Sequence, residues 1–85
     1  MKIRTIIVDD HRILRDGIKA LLKEMPNVEL IGEASNGEEL SPMLKNCDVD
    51  LVLMDINMPK MNGIDASREA LKICPNLKII ILSMH

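Results

Sequence analysis

The 85-residue sequence predicts an α/β domain: a parallel β-sheet with helices on both faces. Three observations support this. Short apolar runs, "IIV", "LVLM" and "IIIL", are each bounded by acids or turn residues, as strands buried on both faces are. Between them the apolar spacing lengthens to the helical period. Strand and helix patterns then alternate to the end of the chain, which implies right-handed βαβ units and a doubly wound sheet.

The first strand comprises Ile3, Ile6, Ile7 and Val8 and ends at Asp9-Asp10. A helix follows from about His11 to Glu24. Ile13, Leu14, Gly17, Ile18, Leu21 and Leu22 form two adjacent i, i+4 rows, read as one apolar stripe, with Arg12, Arg15, Lys19 and Lys23 as a solvated basic side. Pro26-Asn27 breaks the chain. Val28 to Ala34 is a second strand, with Glu29 and Glu33 between apolar residues, an alternation suited to a sheet edge. Ser35-Asn36-Gly37 starts a second helix carrying Leu40, Met43, Leu44 and Cys47. Pro42 either bends this helix or, with Ser41 as N-cap, restarts it. Leu51 to Asp55 is the third strand. Asn62-Gly63 opens a third helix, with Ile64, Ser67, Leu71 and Cys74 on one line and Ala66, Ala70 and Ile73 beside it. Pro75-Asn76 ends it, and Leu77 to Leu82 is the fourth strand.

Composition narrows the class. A net charge of −2 leaves no basic footprint for direct nucleic-acid binding. Phe, Tyr and Trp are absent, so the core is aliphatic, with seven Met contributing. No apolar run approaches the ~20 residues of a membrane span, and the N-terminus lacks a cleavage site, which predicts a cytoplasmic protein. Cys47 and Cys74 are read as reduced small hydrophobes, too few and too far apart for a disulfide framework or a zinc site.

The informative feature is where the acids fall. In open α/β sheets, ligands bind beyond the carboxyl ends of the strands. Those ends carry Asp9 and Asp10, then Asp55, then Ser83. Carboxylates ~5 Å apart at an effective dielectric near 20 repel by about 3 kcal/mol per pair. Either one acid stays protonated or a cation binds, and a hard, oxygen-ligated ion such as Mg²⁺ suits the donor set. The competing reading, Asp9 and Asp10 as caps of the first helix and Asp55 as the start of a turn, leaves unexplained why an acid follows four buried residues. A carboxylate beside Mg²⁺ can also attack phosphorus, and Ser83 could then bind the new phosphoryl group.

The motifs "IIVDDHRILRDGIKALL", "ASNGEEL", "DLVLMDINMPKMNGIDA" and "IIILSMH" together resemble the receiver domain of two-component response regulators, in the LuxR-type (NarL/FixJ) helix-turn-helix subfamily. The resemblance implies a flavodoxin-like fold of strand order 2-1-3-4. It implies Asp55 as phosphoacceptor from the phosphohistidine of a sensor histidine kinase. Asp9 and Asp10 become the Mg²⁺ ligands with Asp55, the Asn57 backbone carbonyl a further ligand, and Ser83 the switch hydroxyl. Pro59 and Gly63 match the loop after the acceptor. His11 matches the subfamily but receives no catalytic role, and Met58 and Met61 are loop packing.

The pattern departs from the family after the fourth strand. The family's fourth helix, fifth strand and fifth helix, its invariant lysine and the C-terminal DNA-binding domain have no counterpart here, so the chain is expected to be a partial receiver domain. Such a piece would expose "IIIL" as an edge and self-associate or swap elements. Three functions follow. The first is a phosphoacceptor switch, not a turnover enzyme. The second is an inert or self-associating receiver fragment. The third is an aspartate-nucleophile phosphohydrolase of the haloacid dehalogenase type, which Asn57 argues against because that family places an acid there.

Overall fold

A computed structural model describes residues 2–55 and 63–82. Asn57, Met58, Pro59, Met61, Ser83 and His85 lie outside them. The elements are β1 (Ile3–Val8), α1 (Arg12–Lys23), β2 (Val28–Ala34), α2 (Gly37–Met43), β3 (Leu51–Asp55), α3 (Gly63–Ile73) and β4 (Lys78–Leu82). The strands form one parallel sheet in the order β2-β1-β3-β4, as expected.

Period-2 alternation divides the sheet into two faces. Ile6 and Val8 of β1 and Val52 and Met54 of β3 point toward α2 and α3, where they join Leu40, Leu44, Ala66 and Ala70 in the main core. Of the two adjacent lines that the apolar spacing suggests on the third helix, only the alanines and Cys74 are buried. Gly63, Ala66 and Ala70 are the buried positions, continuing to Cys74, while Ile64, Leu71 and Ile73 are exposed. Small residues let the helix axis approach the sheet, and the larger side chains are left at its margin.

On the other face, α1 is rotated relative to the predicted stripe. Only the row Leu14, Ile18 and Leu22 turns inward; Leu21 is exposed and Ile13 is 88% exposed. The basic residues are not uniformly solvated either. Arg15 Nε lies 3.5 Å from Glu33 Oε1, and Lys19 Nζ lies 3.0 Å from Glu33 Oε2. These pairs tie α1 to β2, and Arg15 reaches further, donating to the Asp9 carbonyl and to Ser35 Oγ, each at 3.2 Å.

The alternatives at Pro42 resolve into a single short helix. Asn36 caps it, its side-chain oxygen accepting from Glu39 N at 3.1 Å, while Glu39 Oε1 accepts from Ser35 N at 3.0 Å. Pro42 sits in the last turn, so it removes one hydrogen bond and helps to end the helix at Met43. On β2, the pairing with β1 shifts between Thr5 and Ile6, skipping Ile31. Gly32 then lies beneath Met43, whose methyl group a Cβ there would strike.

The cysteine expectation is overturned. Cys47 and Cys74 are joined in a disulfide, with Cα atoms 5.6 Å apart. Cys47 follows α2 in a left-handed conformation, φ 51°, and Cys74 follows α3. Packing of α2 on α3 brings the two chain ends together, which their 27-residue separation could not reveal.

Candidate functional site

The acids converge where the strand ends predicted. β1 and β3 are neighbours in register, with Val8 opposite Met54, so Asp9 and Asp55 emerge side by side one step later. Asp9 is 1% and Asp55 5% exposed, whereas Asp10 stands at the exposed rim. β4 runs on the far side of β3, with Leu82 opposite Asp55. Ser83, the predicted hydroxyl, and Asn57, the predicted carbonyl ligand, fall outside the described residues.

Asp9 is held on one side only. Its backbone N–H donates to the Ala34 carbonyl at 3.0 Å, and its Oδ1 accepts from the His11 backbone N–H at 2.7 Å. Oδ2 is buried with no hydrogen-bond partner among the described residues. An orphaned buried carboxylate oxygen costs free energy that a cation would recover. The donor set around it is rich in carboxylate oxygen, which fits a hard divalent ion.

Asp10 does not cap α1. His11 occupies the N-cap position, with extended backbone and no side-chain cap bond. This turns the imidazole toward the acids. His11 Nδ1 lies 3.0 Å from Asp10 Oδ1, 3.2 Å from Asp9 Oδ1 and 3.7 Å from Asp55 Oδ2. One ligand-competent atom from each of Asp9, Asp10, His11 and Asp55 lies within 4.8 Å of the others. The hydrogen bond to Asp9 and then the charge of Asp10 raise the His11 pKa above its ordinary value. His11 is a surface residue at a helix start, and its place two residues after a strand-end acid, in the turn that opens that helix, brings its ring to the acids.

The opposite end of the sheet carries a cleft of about 520 Å³ beside the disulfide, lined among others by Val49, Asp50, Asn76 and Lys78. Asp50, its acid, is already engaged by the Arg4 backbone N–H at 2.9 Å and by Arg4 Nε at 3.3 Å, which hold its pKa below the ordinary carboxylate value. The converging groups are at the acidic rim, which is therefore the candidate site. No helix among the described residues is long and apolar enough to cross a membrane.

A four-stranded parallel sheet of order 2-1-3-4 whose central strands end in clustered acids defines a flavodoxin-like domain with its site at the strand ends. Residues 5–85 match the family model of the response regulator receiver domain, and the chain belongs to that family. It is 38% identical over 84 residues to the transcriptional regulatory protein DegU of Brevibacillus brevis, covering 99% of this chain and 36% of that protein. Among solved structures, a LuxR-family two-component response regulator from Aurantimonas sp. SI85-9A1 superposes with a TM-score of 0.91 at 30% identity, covering all of this chain and 61% of that one. The isolated receiver domain of RcsB from Salmonella enterica serovar Typhimurium, solved with the phosphomimetic BeF3-, superposes with a TM-score of 0.90 at 30% identity, covering all of this chain and 64% of that one. The chain thus spans about a third of the length of the curated relative it matches. As a receiver domain it is a two-component signalling module.

Proposed function

We propose that Asp55 is the phosphoacceptor of a signalling switch and that a sensor histidine kinase is the donor. The observation that carries this is the pair of buried acids, Asp9 and Asp55, at the ends of adjacent central strands, with one Asp9 oxygen unpartnered among the described residues. An Asp55 carboxylate oxygen attacks phosphorus, the phosphorus–nitrogen bond of the donor phosphohistidine breaks, and the departing imidazole nitrogen is protonated. Asp9, Asp10 and Asp55 would hold Mg²⁺, with the Asn57 carbonyl as a further ligand. When bound, Mg²⁺ supplies charge neutralisation for the phosphoryl oxygens. Ser83 follows directly on the residue paired with Asp55 and would bind the transferred phosphoryl group as the switch hydroxyl. The related RcsB receiver solved with a phosphomimetic supports the reading.

In this reading the domain acts in the cytoplasm and is a phosphorylated regulator rather than a turnover enzyme. It is a partial receiver unit, and DNA contact belongs to a C-terminal domain outside these 85 residues. A second reading, a self-associating fragment without efficient phosphotransfer, has its own support. β4 closes the described sheet as an edge, and its Ile80 and Ile81 are exposed, as are Ile13 and Leu21 of α1.

Incubation with Mg²⁺ and acetyl phosphate, followed by intact-mass measurement, separates the two. The switch predicts a single phosphoryl mass gain that Asp55→Asn abolishes. Absence of the adduct while Mg²⁺ still binds would favour the fragment reading.

A further inference from the structure

We infer that the Cys47–Cys74 bond is a reversible thiol–disulfide switch, opened by a thiol reductant that attacks the Cys47 sulfur, and that one backbone accommodates both of its oxidation states. The bond lies at the end of the sheet opposite the acidic rim, so the switch acts on the contact between α2 and α3 and not on the proposed acceptor.

The two sulfurs stand in unlike surroundings. Cys47 is exposed, whereas Cys74 is buried and packs in the main core. Both line the cleft of about 520 Å³, which gives a reductant room to approach. An attacking thiolate therefore reaches Cys47, and Cys74 is the leaving sulfur. Cys47 is also held at φ 51°, a left-handed conformation that costs an L-residue free energy. Exposed or strained disulfides are the labile ones. In the opening step the reductant's sulfur bonds to Cys47 Sγ, the Cys47–Cys74 bond breaks, and Cys74 leaves as a thiolate that takes a proton. A second thiolate then attacks the reductant's sulfur in this mixed disulfide and frees Cys47, which is protonated in turn. Two reductant thiols become one disulfide, and two electrons and two protons pass to the protein. The reverse sequence, with the reductant's disulfide as oxidant, closes the bond.

The reduced state is prepared in the fold. Cys47 Sγ lies 3.3 Å from the Ile73 carbonyl oxygen, and Cys74 Sγ lies 3.3 Å from the Leu44 carbonyl oxygen. Ile73 ends α3 and Leu44 is the C-cap of α2, positions whose carbonyls have no acceptor role within their own helix. While bonded to each other the sulfurs carry no proton. Once reduced, each S–H is a weak donor aimed across at the other helix end. Two crossed hydrogen bonds then stand where one covalent bond was, and the helix ends stay together without the tether. An obligatory staple would leave both carbonyls facing a sulfur that never donates. Compartment adds a reason that rests on the cytoplasmic location proposed above: thiols there are kept reduced, and the disulfides that do form are mostly transient or redox-sensing.

The test uses the whole chain, with glutathione as the probe. Samples started oxidised and samples started reduced are equilibrated across ratios of reduced to oxidised glutathione, quenched with acid and weighed intact. The two series are expected to converge on one titration curve. Peptide mapping at early times is expected to place the glutathione adduct on Cys47. Amide magnetic resonance of the reduced protein is expected to keep a folded spectrum, with shifts confined to the segments around Cys47 and Cys74 and little change at Asp9. Among single-cysteine variants, Cys47 in Cys74→Ser is expected to react with Ellman's reagent at least about tenfold faster than Cys74 in Cys47→Ser. Should either variant fail to fold, the mapping on the wild type decides. A bond that yields to glutathione only above the melting temperature, a first adduct on Cys74, equal reactivity of the two sulfurs in folded variants, or a reduced chain that unfolds overturns the inference. No measurement here reads Asp55, so these outcomes are separate from the fate of the phosphoacceptor reading.

Discussion

Breaking the Cys47–Cys74 bond should loosen the domain without touching its acidic rim. Cys47→Ser is the cleaner perturbation, because Cys47 is exposed whereas Cys74 is buried in the core. The bond spans 27 residues, a loop that includes β3 and α3. In the chain-entropy account, closing a loop of that length removes about 12 cal/mol/K from the unfolded ensemble, or roughly 3.5 kcal/mol at 25 °C. Against a total of ~5–15 kcal/mol for a small domain, that is a large share. For a domain of this size it corresponds to a fall in melting temperature of roughly 14–28 °C. The chain has no aromatic residue, so unfolding is followed by far-ultraviolet circular dichroism. Reductant should lower the melting temperature of the wild type to that of Cys47→Ser and leave the variant unmoved. Both bridging residues sit at the amino ends of the strands that follow them, far from Asp55, so acetyl phosphate labelling should be similar in the two states. A wild type that titrates two free thiols under oxidising conditions, and melts identically with and without reductant, would refute the reasoning.

The remaining expectations concern the core, the pH response and the bare faces. Leu44→Ala removes a side chain that is fully buried in the core, and should cost about 2–5 kcal/mol in urea unfolding. His11 has a raised pKa, so the stability it contributes is fully present below its ordinary value of 6.5 and is lost as pH rises through the higher folded value. Melting in chelator should show that loss in the wild type and a flatter profile in His11→Gln. Asp50 has the opposite sign: its Arg4 hydrogen bonds contribute above the ordinary value of 3.8 and fade as pH falls through the depressed one, which Asp50→Asn should remove from the acid limb of the same profile. In sedimentation, the exposed Ile80 and Ile81 of β4 should drive association across the micromolar range, and Ile80→Lys should shift the chain toward monomer.

The convergence of Asp9, Asp10 and Asp55 was legible before any coordinates. Each acid ends an apolar strand, and parallel strands joined by helices bring all their carboxyl ends to one rim. What the pattern could not resolve was rotation. On α1, two adjacent apolar rows, one through Ile13 and one through Leu14, are both compatible with a 3.6-residue period. The ion pairs of Arg15 and Lys19 with Glu33 go with the second, and depend on where β2 lies rather than on anything local. On α3 the spacing offered two adjacent lines with large and small residues in both, and close approach to the sheet selected the small ones, Ala66 and Ala70, with Gly63.

The sequence by itself determined the order of elements, the parallel sheet, the acidic rim and the family, because period, turn residues and strand-end acids are local properties written in consecutive residues. Tertiary structure alone decided the disulfide, the inward row of α1 and the entry of His11 among the acids. Each of these depends on distances between segments far apart in the chain, or on the backbone direction at a helix start, and neither is set until the helices have packed against the sheet.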